Sequence, residues 1–324
     1  MRCLALAQAW VDTGGRALFI SAKSSSSLER RLQNDGFETV RLSVEPGGLE
    51  DAKATSFEAQ HRGSRLVVVD GYHFRSEFSR YLRKAALRVI SIDDNGSENT
   101  DASDLIINQN RHATPALYMQ HAPETRLLLG TNYALLRREF RCLTVSRDDF
   151  QANATRLLVT LGAADPENVT TRVIDVLAAK LEPRTETRIV VGGSNRHAAT
   201  VAAATQHLTG GRLIDEPGSS MPELMAWADF AVSAGGSTMW ELAYLGVPFI
   251  PIVIAENQRS VTLALERDGY LAVDSTALER DLPHVVQTLT RDAGKRRELG
   301  QIGRHLVDGL GTQRVCQVLR DMDG

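Results

Sequence analysis

Short runs of apolar and β-branched residues recur along the chain, separated by stretches with apolar residues at helical spacing. That alternation predicts βα units built on parallel sheets. In the first half, strands are expected at 16–21 (RALFIS), around Val40, and at 65–70 (RLVVVD), 87–93 (LRVISID), 105–108 (LIIN) and 126–130 (RLLLG). Helical spacing covers 2–11, 28–35 and 77–87. The pattern then restarts. Strands at 156–162, 187–193, 212–215, 230–233 and 249–254 alternate with helices at 168–181, 198–207, 222–228, 238–245 and 260–267, and a last helix is expected over 304–319. The polar, weakly periodic RCLTVSRDDFQANA (141–154) between the two halves suits a linker. The expected fold class is α/β, with two Rossmann-like doubly wound domains at 1–145 and 152–324 facing across a cleft. Ligands of such sheets bind outside the carboxyl ends of the strands, which makes the cleft the default site.

Composition narrows the function classes. A chain of 324 residues fits two domains. Its net charge of −3 lacks the basic face of a nucleic-acid protein. Cys3, Cys142 and Cys316 are odd in number and scattered, so neither a disulfide framework nor a metal site is expected. No apolar run reaches membrane-spanning length and no signal peptide is visible, so the expectation is a cytoplasmic monomer with no membrane or nucleic-acid partner.

The richest stretch is SAGGSTMWELAYLGVPFI (233–250). An apolar strand runs into Gly235 and Gly236, and a helix starts at Ser237 or Thr238. Glycines allow close backbone approach, and the first turn of a helix offers free N–H groups suited to phosphate. Glu241 has two readings. Spacing alone favours a capping box with Thr238; the alternative is a carboxylate that accepts hydrogen bonds from ribose hydroxyls. AENQ (255–258) follows the next strand and places Asn257 and Gln258 where a strand end would present them to the cleft; an ordinary Asx cap of the next helix is the reading that leads on spacing alone. LGAADPENVT (161–170) places Gly162 and Ala163 in a close turn, with Asn168 as the expected cap of the next helix. VGGSNRH (191–197) is a third glycine loop, in which His197 reads as a solvated helix residue. In the first half, VVVDGYHF (67–74) sets Asp70, Tyr72 and His73 at a strand end, and SIDD (91–94) ends the next strand in Asp93 and Asp94, which read as turn-setting residues.

Taken together, MRCLALAQAW, VVVDGY, SIDD, DLIINQN, LLGTNYALLRREF, LGAADP, VVGGSN, MPELMAWADFAVSAGGSTMWELAYLGVP and AENQ occur in the order of a known family. The chain resembles the UDP-sugar hydrolases of pseudaminic acid biosynthesis, which release UDP from UDP-2,4-diacetamido-2,4,6-trideoxy-β-L-altropyranose. The resemblance implies a GT-B protein that needs no cofactor and no metal. It implies that Gly235, Gly236, Ser237 and Thr238 meet the diphosphate opposite the Gly162–Ala163 backbone. It further implies that Glu241 grips the ribose, Asn257 lines the sugar–phosphate region, and Tyr72 stands beside the catalytic base. In that family the base is a histidine on a Gly-x-Gly-His loop just ahead of the methionine–arginine pair, and this sequence starts at that methionine. The expectation is therefore a true start upstream, carrying the first strand and the histidine. The alternatives are His73 as a substitute base, a glycosyltransferase on the same fold, and a UDP-sugar-binding protein without turnover.

Overall fold

The computed structural model describes residues 1–143, 145, 150–181 and 184–323. It divides into two compact units, Met1–Arg138 with Gly309–Gly324, and Glu139–Asp308. Of the expected linker, residues 144 and 146–149 lie outside the described residues.

The first unit runs α1 (Arg2–Asp12), β1 (Leu18–Ser21), α2 (Ser26–Asn34), β2 (Glu38–Arg41), α3 (Leu49–His61), β3 (Leu66–Asp70), α4 (Ser76–Lys84), β4 (Arg88–Ile92), β5 (Leu105–Asn108) and β6 (Arg126–Leu129). All its strand pairs are parallel, yet they form two sheets, β1-β2 and β3-β4-β5-β6. Helix α1 packs on both. Its Leu4 and Ala7 meet Phe19, Leu32 and Phe37, while Ala5, Leu6 and Ala9 join Ile90, Leu105 and Ile107. Strands β1 and β3 each keep an edge that pairs with no strand among the described residues. Burial follows: β5 is buried throughout, whereas β1 is half-buried along its length and β3 is buried only at Val69.

The second unit contains β7 (Arg156–Thr160), α6 (Val169–Lys180), β8 (Glu186–Val191), α7 (Ala198–Gln206), β9 (Gly211–Asp215), α8 (Met221–Trp227), β10 (Phe230–Ala234), α9 (Thr238–Tyr244), β11 (Phe249–Val253), α10 (Arg259–Arg267), β12 (Val273–Asp274), α11 (Leu278–Arg291) and α12 (Ala293–Leu306). The short α5 (Arg138–Arg141) sits at the boundary. One parallel sheet in the order β12-β11-β10-β7-β8-β9 organises this unit. Its middle strands are sealed: β10 and β11 are buried throughout, and β7 from Leu157 on.

Several elements escape the hydrophobic pattern. Helix α3 turns a face of Ala52, Thr55, Ser56 and Ala59 inward, too small and polar to show as an apolar stripe. Helix α11 contains Pro283, a helix breaker in sequence terms, yet it still buries Leu278, Leu282, Val285, Val286 and Leu289. Helix α12 packs through Gly300 and Gly303, where an added Cβ would stand 2.7 Å from the Gly246 carbonyl oxygen and 2.9 Å from Ala243 Cα. The single helix expected over 304–319 is instead two elements. α12 stops at Leu306, Gly309 takes φ +82°, and a new helix α13 (Gly311–Asp323) begins. Helix α13 belongs to the first unit, so the expected carboxyl domain of 152–324 ends earlier in space than in sequence. Val315, Cys316, Leu319 and Met322 of α13 pack with Ala5, Leu6 and Ala9 of α1, and Thr312 Oγ1 accepts from the Leu136 N–H at 3.2 Å.

Candidate functional site

In the second unit, the glycine loops gather at the carboxyl ends of adjacent strands. β7 pairs directly with β10, and β10 with β11. The loops that follow these three strands carry Gly162 and Ala163, then Gly235–Thr238, then Asn257 and Gln258. Gly162 takes φ +90°, and an added Cβ at Gly162 or Gly236 would meet nothing within 4 Å, so neither position is crowded. Gly235 is different. A Cβ there would lie 2.9 Å from Gln258 Cβ and 3.0 Å from Thr262 Oγ1, so a side chain is excluded.

The structure decides two local questions. Ser237, not Thr238, stands at the cap of α9, and its side chain makes no cap bond. Glu241 is therefore the fourth helical residue and not the third after a threonine cap, so the capping-box spacing is not met. Glu241 is nonetheless buried. Asn168 sits at the start of α6 with φ +52°, but the cap bonds come from Asp165, whose two oxygens accept from Val169 N at 2.9 Å and Thr170 N at 2.8 Å. His197 is half-buried, with Nε2 3.1 Å from the Pro166 carbonyl oxygen, to which Arg196 Nη2 also donates at 3.1 Å. These two side chains tie the loop after β8 to the loop after β7.

Gln258 has a more specific role than its place at a strand end implies. Asn257 is exposed, and Gln258 makes no cap bond to α10. Instead Gln258 Oε1 accepts from Gly235 N at 3.2 Å and Ile254 N at 3.1 Å. One side chain thus clips the end of β10 to the end of β11. The only sequence signal is a glutamine just beyond one strand, opposite a glycine just beyond its neighbour.

Tyr72 lies in the first unit, in a polar cluster of its own. It is 63% exposed, and its hydroxyl donates to Asp94 Oδ2 at 2.6 Å. Arg2 donates to Asp70 Oδ1 and Asp94 Oδ1, each at 2.6 Å, and Asn110 Nδ2 donates to Asp94 Oδ1 at 2.8 Å. Burial alone penalises the Arg2 charge, but the two carboxylates outweigh it and raise its pKa. Asp93 sets the turn as expected, accepting from Gly96 N at 2.6 Å, and also receives the buried Tyr118 hydroxyl at 2.7 Å. Burial, with the Asp93 charge beside it, pushes the Tyr118 pKa up. Asp94 does more than set a turn: it joins the ends of β3, β4 and β5 to the start of α1. His73 is exposed and tilts against Phe74, with ring centroids 4.1 Å apart.

Comparison with known proteins places this geometry. S. aureus MnaA, in a co-structure with UDP, superposes with a TM-score of 0.71 over 99% of this chain and 94% of that one, at 10% identity. Acinetobacter baumannii MurG superposes with a TM-score of 0.66 over 99% of this chain and 95% of that one, at 13% identity. The fold is of GT-B type. In sequence, residues 157–299 match the glycosyltransferase family 28 C-terminal domain, the region that holds all three loops of the second unit. The spore coat polysaccharide biosynthesis protein SpsG of Bacillus subtilis is 25% identical over 244 residues, covering 72% of this chain and 70% of that protein. Among the described residues, no helix is long and apolar enough to cross a membrane.

Proposed function

We propose that this chain is built to hydrolyse a UDP-activated diacetamido-trideoxy sugar to free sugar and UDP. The observation that carries the UDP part is the pair of uncrowded glycine turns at Gly162 and Gly236 on adjacent parallel strands, within the family 28 C-terminal region. Gly236, Ser237 and Thr238 line the diphosphate, with Gly162 and Ala163 on the neighbouring loop, while Gly235, whose N–H is held by Gln258 and the Ile252 carbonyl, shapes the turn. Glu241, buried in the first turns of α9, takes the ribose hydroxyls, and Asn257 the sugar–phosphate region. Backbone donors and hydroxyls suit a diphosphate leaving group without a metal. Hydrolysis as the outcome, the sugar's identity and the part of Tyr72 come from the resemblance.

Hydrolysis needs a base, and general base catalysis contributes about 10²–10⁴-fold. The resemblance places that base on a loop upstream of Met1. The unpaired edges of β1 and β3, bridged by α1, support a further parallel strand leading into α1. The deciding experiment measures UDP release from the diacetamido-altrose substrate by this chain and by a chain extended upstream with a strand and a Gly-x-Gly-His loop. Activity restored by the extension supports hydrolysis. Equal activity in both sends the base to His73.

A second reading is a UDP-sugar glycosyltransferase, favoured by the match to the family 28 C-terminal domain. Turnover that appears only when an alcohol acceptor is added would select it. UDP bound without any turnover would leave a UDP-sugar-binding protein.

A further inference from the structure

The contact between Tyr72 and Asp94 fixes a direction for one proton. Asp94 is surrounded by donors: Arg2 Nη1 at 2.6 Å and Asn110 Nδ2 at 2.8 Å on Oδ1, and Tyr72 Oη at 2.6 Å on Oδ2. Burial works against its ionisation, but the Arg2 charge and the hydrogen bonds from Tyr72 and Asn110 prevail and hold the carboxyl below its ordinary range. An ionised carboxylate only accepts. The proton in the Tyr72–Asp94 contact therefore belongs to Tyr72, whose single O–H is spent on Asp94. Toward any other group Tyr72 Oη acts as an acceptor.

We propose that Asp94 is a positioning residue that fixes Tyr72 as a hydrogen-bond acceptor, so that Tyr72 engages a donor on the substrate: a sugar hydroxyl, an acetamido N–H or the attacking water. Tyr72 then does not protonate the oxygen of the departing diphosphate. The proposal rests on the reading above, in which Tyr72 touches substrate. Arg2 acts at one remove by keeping Asp94 charged and its carboxylate oriented.

Asp94→Asn offers a sharp test, because the surrounding donors dictate how the amide sits. Arg2 and Asn110 both donate at the Oδ1 position, so the amide oxygen must face them and its NH₂ must face Tyr72. The hydrogen bond then reverses, and Tyr72 becomes the acceptor within the pair, with its own proton released toward substrate. The tyrosine Fermi doublet in the Raman spectrum separates donor from acceptor phenols. The difference between wild type and Tyr72→Phe isolates Tyr72, and a strong-donor signature is expected. In Asp94→Asn the signature should switch to acceptor. A weak-donor or acceptor signature in the wild type overturns the proposal even if Asp94→Asn fails to fold, and so does an unchanged signature in a folded variant.

Turnover of the chain extended upstream, as above, gives an independent arm. Asp94→Asn and Tyr72→Phe should each lower kcat about tenfold or more, and the double variant no further. Additive losses overturn the coupling. UDP affinity, titrated with UDP alone, should be equal in all four proteins. Absence of UDP binding in the wild type would sink the nucleotide-sugar reading, while the Raman arm would still decide the Tyr72–Asp94 pair.

Discussion

Both units are built on parallel strands, but the second joins six in one sheet while the first divides six between two sheets. In the second unit β7 lies between β8 and β10 and pairs with both; β10 is buried throughout, and β8 at all but Glu186 and Arg188. In the first unit β1 and β3 would be the corresponding neighbours, each with its partner running outward, β2 on one side and β4 on the other. No strand among the described residues pairs with both. The consequence is visible in burial: apolar Leu18, Phe19, Ile20, Leu66, Val67 and Val68 remain half-buried, whereas every residue of β10 is buried. A parallel sheet depends on both faces and both edges of its middle strands being covered. Among the described residues, α1 packs on both sheets and ion pairs anchor its start.

The largest test of this contrast is matched truncation. Leu158→Ala in fully buried β7 should cost about 3 kcal/mol of unfolding free energy, while Ile20→Ala in half-buried β1 should cost about 1 kcal/mol, read by denaturant titration. Equal costs would show that β1 is as well packed as the central strand. Next comes the anchor of α1. Arg2→Met removes the guanidinium between Asp70 and Asp94 and should destabilise the first unit by about 2–3 kcal/mol, seen as faster hydrogen exchange there with the second unit unchanged.

A smaller effect is expected in the second unit. Gln258→Leu removes the side-chain bonds to Gly235 and Ile254, leaving the Gly235 N–H only its backbone bond to Ile252, and should weaken UDP binding about tenfold, measured by calorimetric titration. Unaltered binding would reduce Gln258 to a bystander. The smallest effect is a pH dependence. The Asp94 pKa is depressed from its ordinary 3.8, so its contribution is complete above that value and is lost as pH falls below it through the native pKa. Exchange in the first unit should therefore rise with acid below about pH 4, and Asp94→Asn should flatten that rise.

The fold was legible wherever burial falls on large aliphatic residues at a clean period. LVVVD, LIIN, FAVSA and FIPIV announce their strands because both faces of each are apolar. α3 and α12 were not legible, since they pack through alanine, serine, threonine and glycine, and closeness of backbone is not written as hydrophobicity. The site divides the same way. Glycines after strands mark open turns in any α/β sequence, so the loops at Gly162 and Gly235–Gly236 stand out. The roles of Gln258 and Arg2 do not, because they depend on partners 23 to 92 residues away in sequence. The glutamate question shows the limit from another side: spacing favoured a box with Thr238, and one residue's shift in where α9 begins removed it.

The return of α13 to the first unit has a consequence for how the protein is made. The packing surface on α1 is made before β6, but the α13 residues that cover it follow β6 by about 180 positions. At about 5–20 residues per second, that interval is roughly 10–40 s. Throughout it, Ala5, Leu6 and Ala9 wait without Val315, Cys316, Leu319 and Met322, and the second unit is complete before the first can close. Nascent chains caught in that window are the form in which chaperones would meet this protein.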